Sequence, residues 1–331
     1  MKTSEADLIR KLSGGASAPQ PQSGVVLGIG DDAALFAPRR GYQTILTCDW
    51  FLEGTHFLRD KHPADSVGWK CLARAVSDVA AMGGEPRCFL LSLAIPGTYT
   101  GRWLNEFLGG LRRAARKFRC PLAGGDTTRR REIGINITAI GEVRSGWATL
   151  RSGARAGDII FVSGRLGEAE LGLRLLRSTD RVNKRFKKKD GVLKKDLYPE
   201  PRVALGQWLA KHRLASAMMD LSDGLSADLP RLCAASGVGA RIEAAKIPAV
   251  RATAQRGAKP FNALNLALDG GDDYELLFTV RPRKARSLPR VFQGIPLTAI
   301  GRITSTRSLR LIQLSGREEP LRAGGWDPFR T

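Results

Sequence analysis

A two-domain α/β (α+β) protein is the architecture this sequence predicts. Three observations lead there. Its 331 residues are too many for one small core and suit two domains. Strand-like and helix-like patterns alternate along the chain, which argues against a bundle or a sandwich. A polar, glycine-containing stretch, RSGARAGD (151–158), is followed by a fresh strand–glycine–helix pattern. That restart places a boundary near residue 147 and predicts domains over 1–147 and 148–331.

The elements follow in order. Residues 43–49 (QTILTCD) read as a strand ending in a polar cluster. Over 64–82, Val67, Cys71, Leu72, Ala75, Val76 and Val79 recur at helical spacing, and Gly83, Gly84 and Pro86 stop the helix. FLLSLAIP (89–96) is a short apolar run, a buried strand. Trp103 to Phe118 is amphipathic and helical, and IGINITAIGEV (133–143) alternates as a strand does. DIIFVSG (158–164) and GEAELGLRLL (167–176) give the next strand and helix. The lysine-rich 181-RVNKRFKKKDGVLKK-195 is expected to be a solvated loop between helices.

Composition bounds the function without choosing it. Apolar residues make up 43% and charged residues 26%, the balance of a folded soluble chain. The formal charge of +21 fits nucleic acid, an acidic surface or attraction of small polyanions. The loop 181–195 has one aromatic, Phe186, and lacks the interleaved rings of a single-strand-binding platform. Nothing else in the sequence supports nucleic-acid binding. Cys48, Cys71, Cys88, Cys120 and Cys233 are scattered, with no C-x-x-C, which argues against a disulfide framework and a zinc site. The start, MKTSEADLIRKL, has no apolar signal core, and no run approaches the ~18 apolar residues of a membrane span. The cytoplasm is the expected location.

The chemistry begins at 28-GIGDDAALF-36. G-x-G-x-x-A formally fits a dinucleotide fingerprint, but Asp31 and Asp32 would oppose a pyrophosphate unless cations came between. No Walker A sequence occurs. Other aspartates sit beside small residues: Asp49 in TCD, Asp78 in SDVAAMGG, Asp126 in GGDTT, Asp220 and Asp223 in MMDLSDGLSADL, Asp272 and Asp273 in GGDDYELLF. Each alone has a structural explanation. Asp31 or Asp32 could cap a helix, and Ser222 or Asp223 could cap one starting near Leu225. Asp78 could pair with Arg74, and GGDT could be a turn. Their number favours another reading. Carboxylates gathered on loops need counter-cations, and hard divalent ions with oxygen ligands supply them. Several magnesium ions bridging to a nucleoside triphosphate, and hence phosphoryl transfer, is the reaction class this pattern suggests.

GIGDDAAL, TCDWFLEGTHF, SDVAAMGGEP, GGDTT, RSGARAGD, DLSDGLSADL and GGDDYELLF stand here in one order, which resembles the thiamine-monophosphate kinase family. The resemblance runs from about residue 5 to the closing GGWDPF. That family belongs to the aminoimidazole ribonucleotide synthetase-like superfamily. The resemblance implies a two-domain fold of that type, with N-terminal domains pairing into a dimeric β-barrel-like core. It also implies ATP-dependent phosphorylation of thiamine monophosphate to thiamine diphosphate, with Mg2+.

Carried over by position, Asp32, Thr47, Cys48, Asp49, Asp78, Asp126, Asp220 and Asp223 would surround the metals. Asp32, Asp49, Asp126 and Asp223 would bear most directly on catalysis. Gly125, Asp126, Arg151 and Ser222 would meet ATP, and His56, Asp272 and Trp326 the thiamine phosphate. The acceptor is a phosphate monoester, ionised at neutral pH, so His56 is cast as a binder rather than a base. A phosphohistidine route needs more parts than direct in-line transfer. Several positions depart from the family pattern: Cys48 for Thr or Ser, Asp272 for Glu, Pro328 for His, Phe118 for Tyr, and Pro230 inside a helix. Two alternatives stay in view. One is a sister enzyme of the superfamily, against which EGTHF and GGDDYEL argue; the other is a basic nucleic-acid-binding protein on this scaffold.

Overall fold

The computed structural model describes residues 9–11, 23–29, 32–178, 191–251 and 261–329. They divide into two compact units. The first holds the described residues up to Ala80 and Gly84–Gly146. The second holds Ala81–Gly83, Trp147–Ser178 and the described residues beyond 190.

In the first unit, a short ribbon of β1 (Val25–Leu27) and β2 (Leu35–Phe36) precedes β3 (Tyr42–Leu52). Helix α1 (Ala64–Ala81) is followed by β4 (Glu85–Ile95), helix α2 (Arg102–Phe118), β5 (Leu122–Arg129) and β6 (Gly134–Arg144). The sheet order is β3-β6-β4-β5, with only β4 and β5 parallel. Because β3 and β5 are its edges, the sheet does not close on itself. Val67, Cys71, Leu72, Ala75, Val76 and Val79 are all buried, as the helical spacing required. Strand β4 starts at Glu85, four residues before the apolar run, because Glu85, Pro86 and Cys88 already pair with β6 across a register shift.

In the second unit, β7 (Ile159–Ser163), α3 (Glu168–Ser178), α4 (Gly191–Leu197), α5 (Val203–Lys211), β8 (Ala215–Leu221) and α6 (Leu225–Ser236) come first. Then follow β9 (Gly239–Glu243), α7 (Ala263–Asp269), β10 (Glu275–Val280), α8 (Pro282–Ala285), β11 (Val291–Phe292), β12 (Ile295–Thr304), β13 (Leu309–Ile312) and β14 (Glu318–Pro320). The main path is β14-β13-β9-β12-β7-β10-β8, with β11 hung on β12. Only β9 and β13 are parallel within it. One core packs Leu225, Leu229 and Leu232 of α6 against Met219 and Leu277. The other packs Leu205 and Leu209 of α5 against Met218, Leu276 and Phe278. With apolar layers on both faces, every residue of β10 is buried.

Three local expectations change. Residues 191–195 belong to α4, whose Leu193 and Leu197 are buried, so this part of the lysine-rich segment is helix rather than loop; 181–190 lie outside the described residues. GGDTT is not a turn, since it runs inside β5 alongside β4. Asp32 caps no helix, because a bend and then β2 follow it; Asp31 lies outside the described residues. Pro230 does sit within a helix, as the sequence places it, and α6 continues through it to Ser236 despite losing the N–H that would bond the Ser226 carbonyl. No described helix is long and apolar enough to cross a membrane.

Candidate active site

The first unit offers one compact group on β3. Ile45 and Phe51 are buried, so by strand alternation Thr47 and Asp49 share their face. Helix α1 lies over that face, and Asp78 Oδ2 accepts the Thr47 hydroxyl at 2.5 Å. Cys48 points the other way. Its Sγ lies 3.2 Å from Asn136 Nδ2 and 3.7 Å from Thr138 Oγ1, so only its backbone carbonyl is left as a hard ligand.

Across the sheet, register puts Asp49, Ile137, Leu91 and Gly125 in one row, with Asp126 in the next. Asp49 and Gly125 are therefore three strand spacings apart, roughly 14 Å along the sheet. Gly125 lies close against β4; a Cβ there would run into the Leu91 carbonyl. Asp126 and Asp32 are exposed.

His56 sits in the turn after β3. Its Nδ1 accepts the Leu52 amide at 2.9 Å, and its ring lies 5.8 Å from that of Phe51. With the Nδ1 lone pair engaged, the neutral ring carries its proton on Nε2 and presents a donor. That geometry suits anion binding and disfavours a nucleophilic role.

The second unit gathers four of the proposed residues around one loop. Ser222 and Asp223 connect β8 to α6. The Ser222 carbonyl accepts the Asp272 amide at 2.8 Å, and the Asp223 carbonyl accepts the Trp326 amide at 2.9 Å. The Ser226 hydroxyl accepts the Gly324 and Gly325 amides, which ties the closing GGW segment to the same helix start. Gly224 supplies the turn at φ +101, and a Cβ there would press on the Asp269 backbone. Asp220 is buried at the end of β8.

Neither Ser222 nor Asp223 caps α6. The buried Asp228 instead holds the loop before the helix, with Oδ2 accepting the Ser222 and Asp223 amides at 3.1 and 3.0 Å. Arg231 Nη1 bridges Asp228 Oδ1 and Asp223 Oδ2. Burial pushes the Asp228 carboxyl up to about 6, against the pull of the amides and the guanidinium.

Asp272 and Tyr274 both adopt left-handed backbone, φ +63 and +49, a costly conformation for such residues. This kink aims the three residues apart. Asp272 Oδ1 accepts the Tyr274 hydroxyl at 2.5 Å. Asp273 turns back to accept the Gly167 and Ala169 amides at the start of α3, and burial raises its carboxyl to about 8.

Arg151 is not part of this gathering. Its carbonyl accepts the Ser236 hydroxyl, at the far end of α6 from Ser222. A twelve-residue helix separates them by about 18 Å.

Among the described residues, no three His, Cys, Asp or Glu side chains stand close enough to form a complete metal site. The donor set still fits magnesium. It consists of carboxylate oxygens, and that ion takes one or two of them together with water and phosphate oxygens. Asp223 already accepts a cation, the Arg231 guanidinium. Asp228 and Arg231 are contributors that the motifs of the sequence do not single out. The i,i+3 spacing of Asp228 and Arg231 was the one readable sign of them.

The AIR synthase related protein family matches the chain twice, its N-terminal domain over residues 30–143 and its C-terminal domain over 155–313. The thiamine-monophosphate kinase of Escherichia coli (strain K12) is 38% identical over 309 residues, 93% of each chain. The crystal structure of thiamine-monophosphate kinase from Stenotrophomonas maltophilia K279a is 35% identical, with a TM-score of 0.80, covering 94% of this chain and 97% of that one. A ThiL protein complexed with AMPPCP and TMP is 31% identical, with a TM-score of 0.76, covering 98% and 97%. The two units are thus the two-domain α/β fold of the AIR synthase-related proteins, and the chain belongs to the thiamine-monophosphate kinase family.

Proposed function

We propose that this chain phosphorylates thiamine monophosphate to thiamine diphosphate with ATP as co-substrate. The observation that carries the reading is the match, over 93% of both chains, to a thiamine-monophosphate kinase. The gathering of Ser222, Asp223, Asp272 and Trp326 by backbone hydrogen bonds is in keeping with it.

On this reading Asp32, Asp49, Asp78, Asp126, Asp220 and Asp223 would hold Mg2+, with Thr47 and Cys48 adding backbone oxygens. Bound there, the ions would neutralise the triphosphate and the charge that develops on the transferred phosphoryl group. The chain's own groups orient the two substrates. Gly125, Asp126, Arg151 and Ser222 meet ATP, and the planar fork of Arg151 suits phosphate oxygens. His56 offers its Nε2–H to the acceptor phosphate, Asp272 meets the thiamine end, and the Trp326 ring covers a flat cationic heterocycle. The acceptor is already ionised, so no general base is required.

We further infer a homodimer through the outer face of the first sheet, with the first domain serving dimerisation and nucleotide and the second completing the site. Leu46 and Trp50 on that face are 72% and 56% exposed in the single chain, more than a lone soluble sheet normally leaves uncovered. A cytoplasmic location suits five free cysteines.

Purified protein with ATP, magnesium and thiamine monophosphate should release ADP and form thiamine diphosphate. Asp49→Asn should lower turnover by about 100-fold with the fold retained. Absence of product from the unaltered protein would end this reading. Product from an amide or carboxamide acceptor instead would favour a sister activity.

A further inference from the structure

Binding ATP and a phosphomonoester does not account for a formal charge of +21. In the second unit, two segments some seventy residues apart bring part of that charge to one place. Helix α5 and its C-terminus carry Lys211 and Arg213, while residues 283–290 carry Arg283, Lys284, Arg286 and Arg290. Lys284 Nζ donates to the Arg213 carbonyl at 2.7 Å, and the Trp208 ring of α5 lies 5.1 Å from that of Phe292. These contacts join the segments into one surface.

All six cations are exposed, and none forms an ion pair among the described residues. Neighbouring Arg281 differs, being neutralised by Asp158. Residues 203–214 and 281–292 contain no Asp or Glu. An ordinary solvated face mixes both signs; this one concentrates a single sign without counter-charges.

We propose that this surface docks duplex DNA through its phosphate backbone, without reading sequence. Arginine and lysine offer donors only, and the arginine fork matches phosphate oxygens. Cations without a carboxylate partner release phosphate counterions on contact, and that release drives such binding. Trp208 and Phe292 are half-buried, so the surface lacks the exposed rings that hold single strands or looped RNA. Val291 is the one large apolar side chain exposed on these two segments, too little to anchor in a membrane. The proposal stands apart from the kinase reading and does not depend on it.

The test is fluorescence anisotropy of a short labelled DNA duplex with the full chain, from about 50 to 200 mM salt. Binding is expected near 10⁻⁵ M, as an order of magnitude, with a log–log salt slope of about −5 at roughly 0.9 per neutralised phosphate. The triple variant Arg283→Gln/Arg286→Gln/Arg290→Gln should reduce that slope by about 3 × 0.9, roughly 2.7, and weaken binding, with melting temperature and turnover kept. A second variant, Lys187→Gln/Lys188→Gln/Lys189→Gln, should leave the slope unchanged. The proposal is overturned if binding is absent or unaffected by the triple variant, or if the second variant alone abolishes it. Tighter binding to phosphatidylserine vesicles or to an RNA hairpin than to the duplex overturns it as well.

Discussion

Arg231 reaches back one turn of its helix and places Nη1 2.7 Å from Asp228 Oδ1, at the point where Asp228 also accepts two amides of the preceding loop. The same nitrogen holds Asp223. One guanidinium therefore organises both the backbone and a candidate ligand of the site. Arg231→Met leaves Asp228 buried with amide donors alone. Because Arg231 is itself partly exposed, the expected loss is modest, about 1–3 kcal/mol. A lower urea midpoint with an unchanged m-value checks it. An unmoved midpoint would show that the loop is held without the guanidinium.

Asp273 should give stability a pH dependence. Its folded pKa of about 8 lies above the ordinary value of 3.8, so the folded state keeps a proton that the unfolded state releases between those limits. The contribution is complete below about pH 4 and is lost as pH rises through about 8. Melting temperature should thus fall from pH 5 towards 8 by an amount worth on the order of 1–3 kcal/mol, and Asp273→Asn should flatten that fall. Parallel melting curves for the two proteins would contradict it.

Glu275 is buried and tied to Ser163 Oγ at 2.6 Å and Arg202 Nε at 2.7 Å. Arg202→Met would strand a buried carboxylate, with Lys195 left 3.8 Å away as its remaining cation. A loss of about 3–5 kcal/mol is expected, read as reduced chemical stability. Arg202→Met/Glu275→Leu should recover much of it, because an apolar pair carries no orphaned charge.

Trp50→Glu, alone or with Leu46→Glu, places charge on the outer face of the first sheet. The proposed dimer should then dissociate, seen as a halved mass in sedimentation, while each chain still melts cooperatively. A variant that keeps the mass of the unaltered protein places the interface elsewhere.

Much of this protein was legible from local pattern. The spacing of Val67, Cys71, Leu72, Ala75 and Val79 needed only a helix with one buried face, and all five are buried in α1. Strands β3, β6 and β7 were visible as apolar or alternating runs. Errors arose where a residue answers to a distant partner. GGDTT looks like a turn, yet pairing with β4 extends it into a strand. Ser222 and Asp223 look like helix caps, yet neither side chain caps α6, and Asp228 holds both their amides from inside the helix. Residues 191–195 look like a charged loop, but Leu193 and Leu197 bury one side of α4.

The order of the motifs, the family they identify and the residue types able to meet phosphate and magnesium are written along the chain, because they depend on composition and short spacing. Their arrangement is not. Hydrogen bonds from Asp272 to Ser222 and from Trp326 to Asp223 span fifty and a hundred residues, and they follow from sheet register and from where the closing segment lands. Packing likewise leaves Arg151 at the far end of α6 and turns the Cys48 thiol away from Asp49. It also lays the cations of α5 beside those of 283–290. Contacts between distant segments exist only once the cores on both faces of the second sheet have formed, so no local window of the sequence contains them.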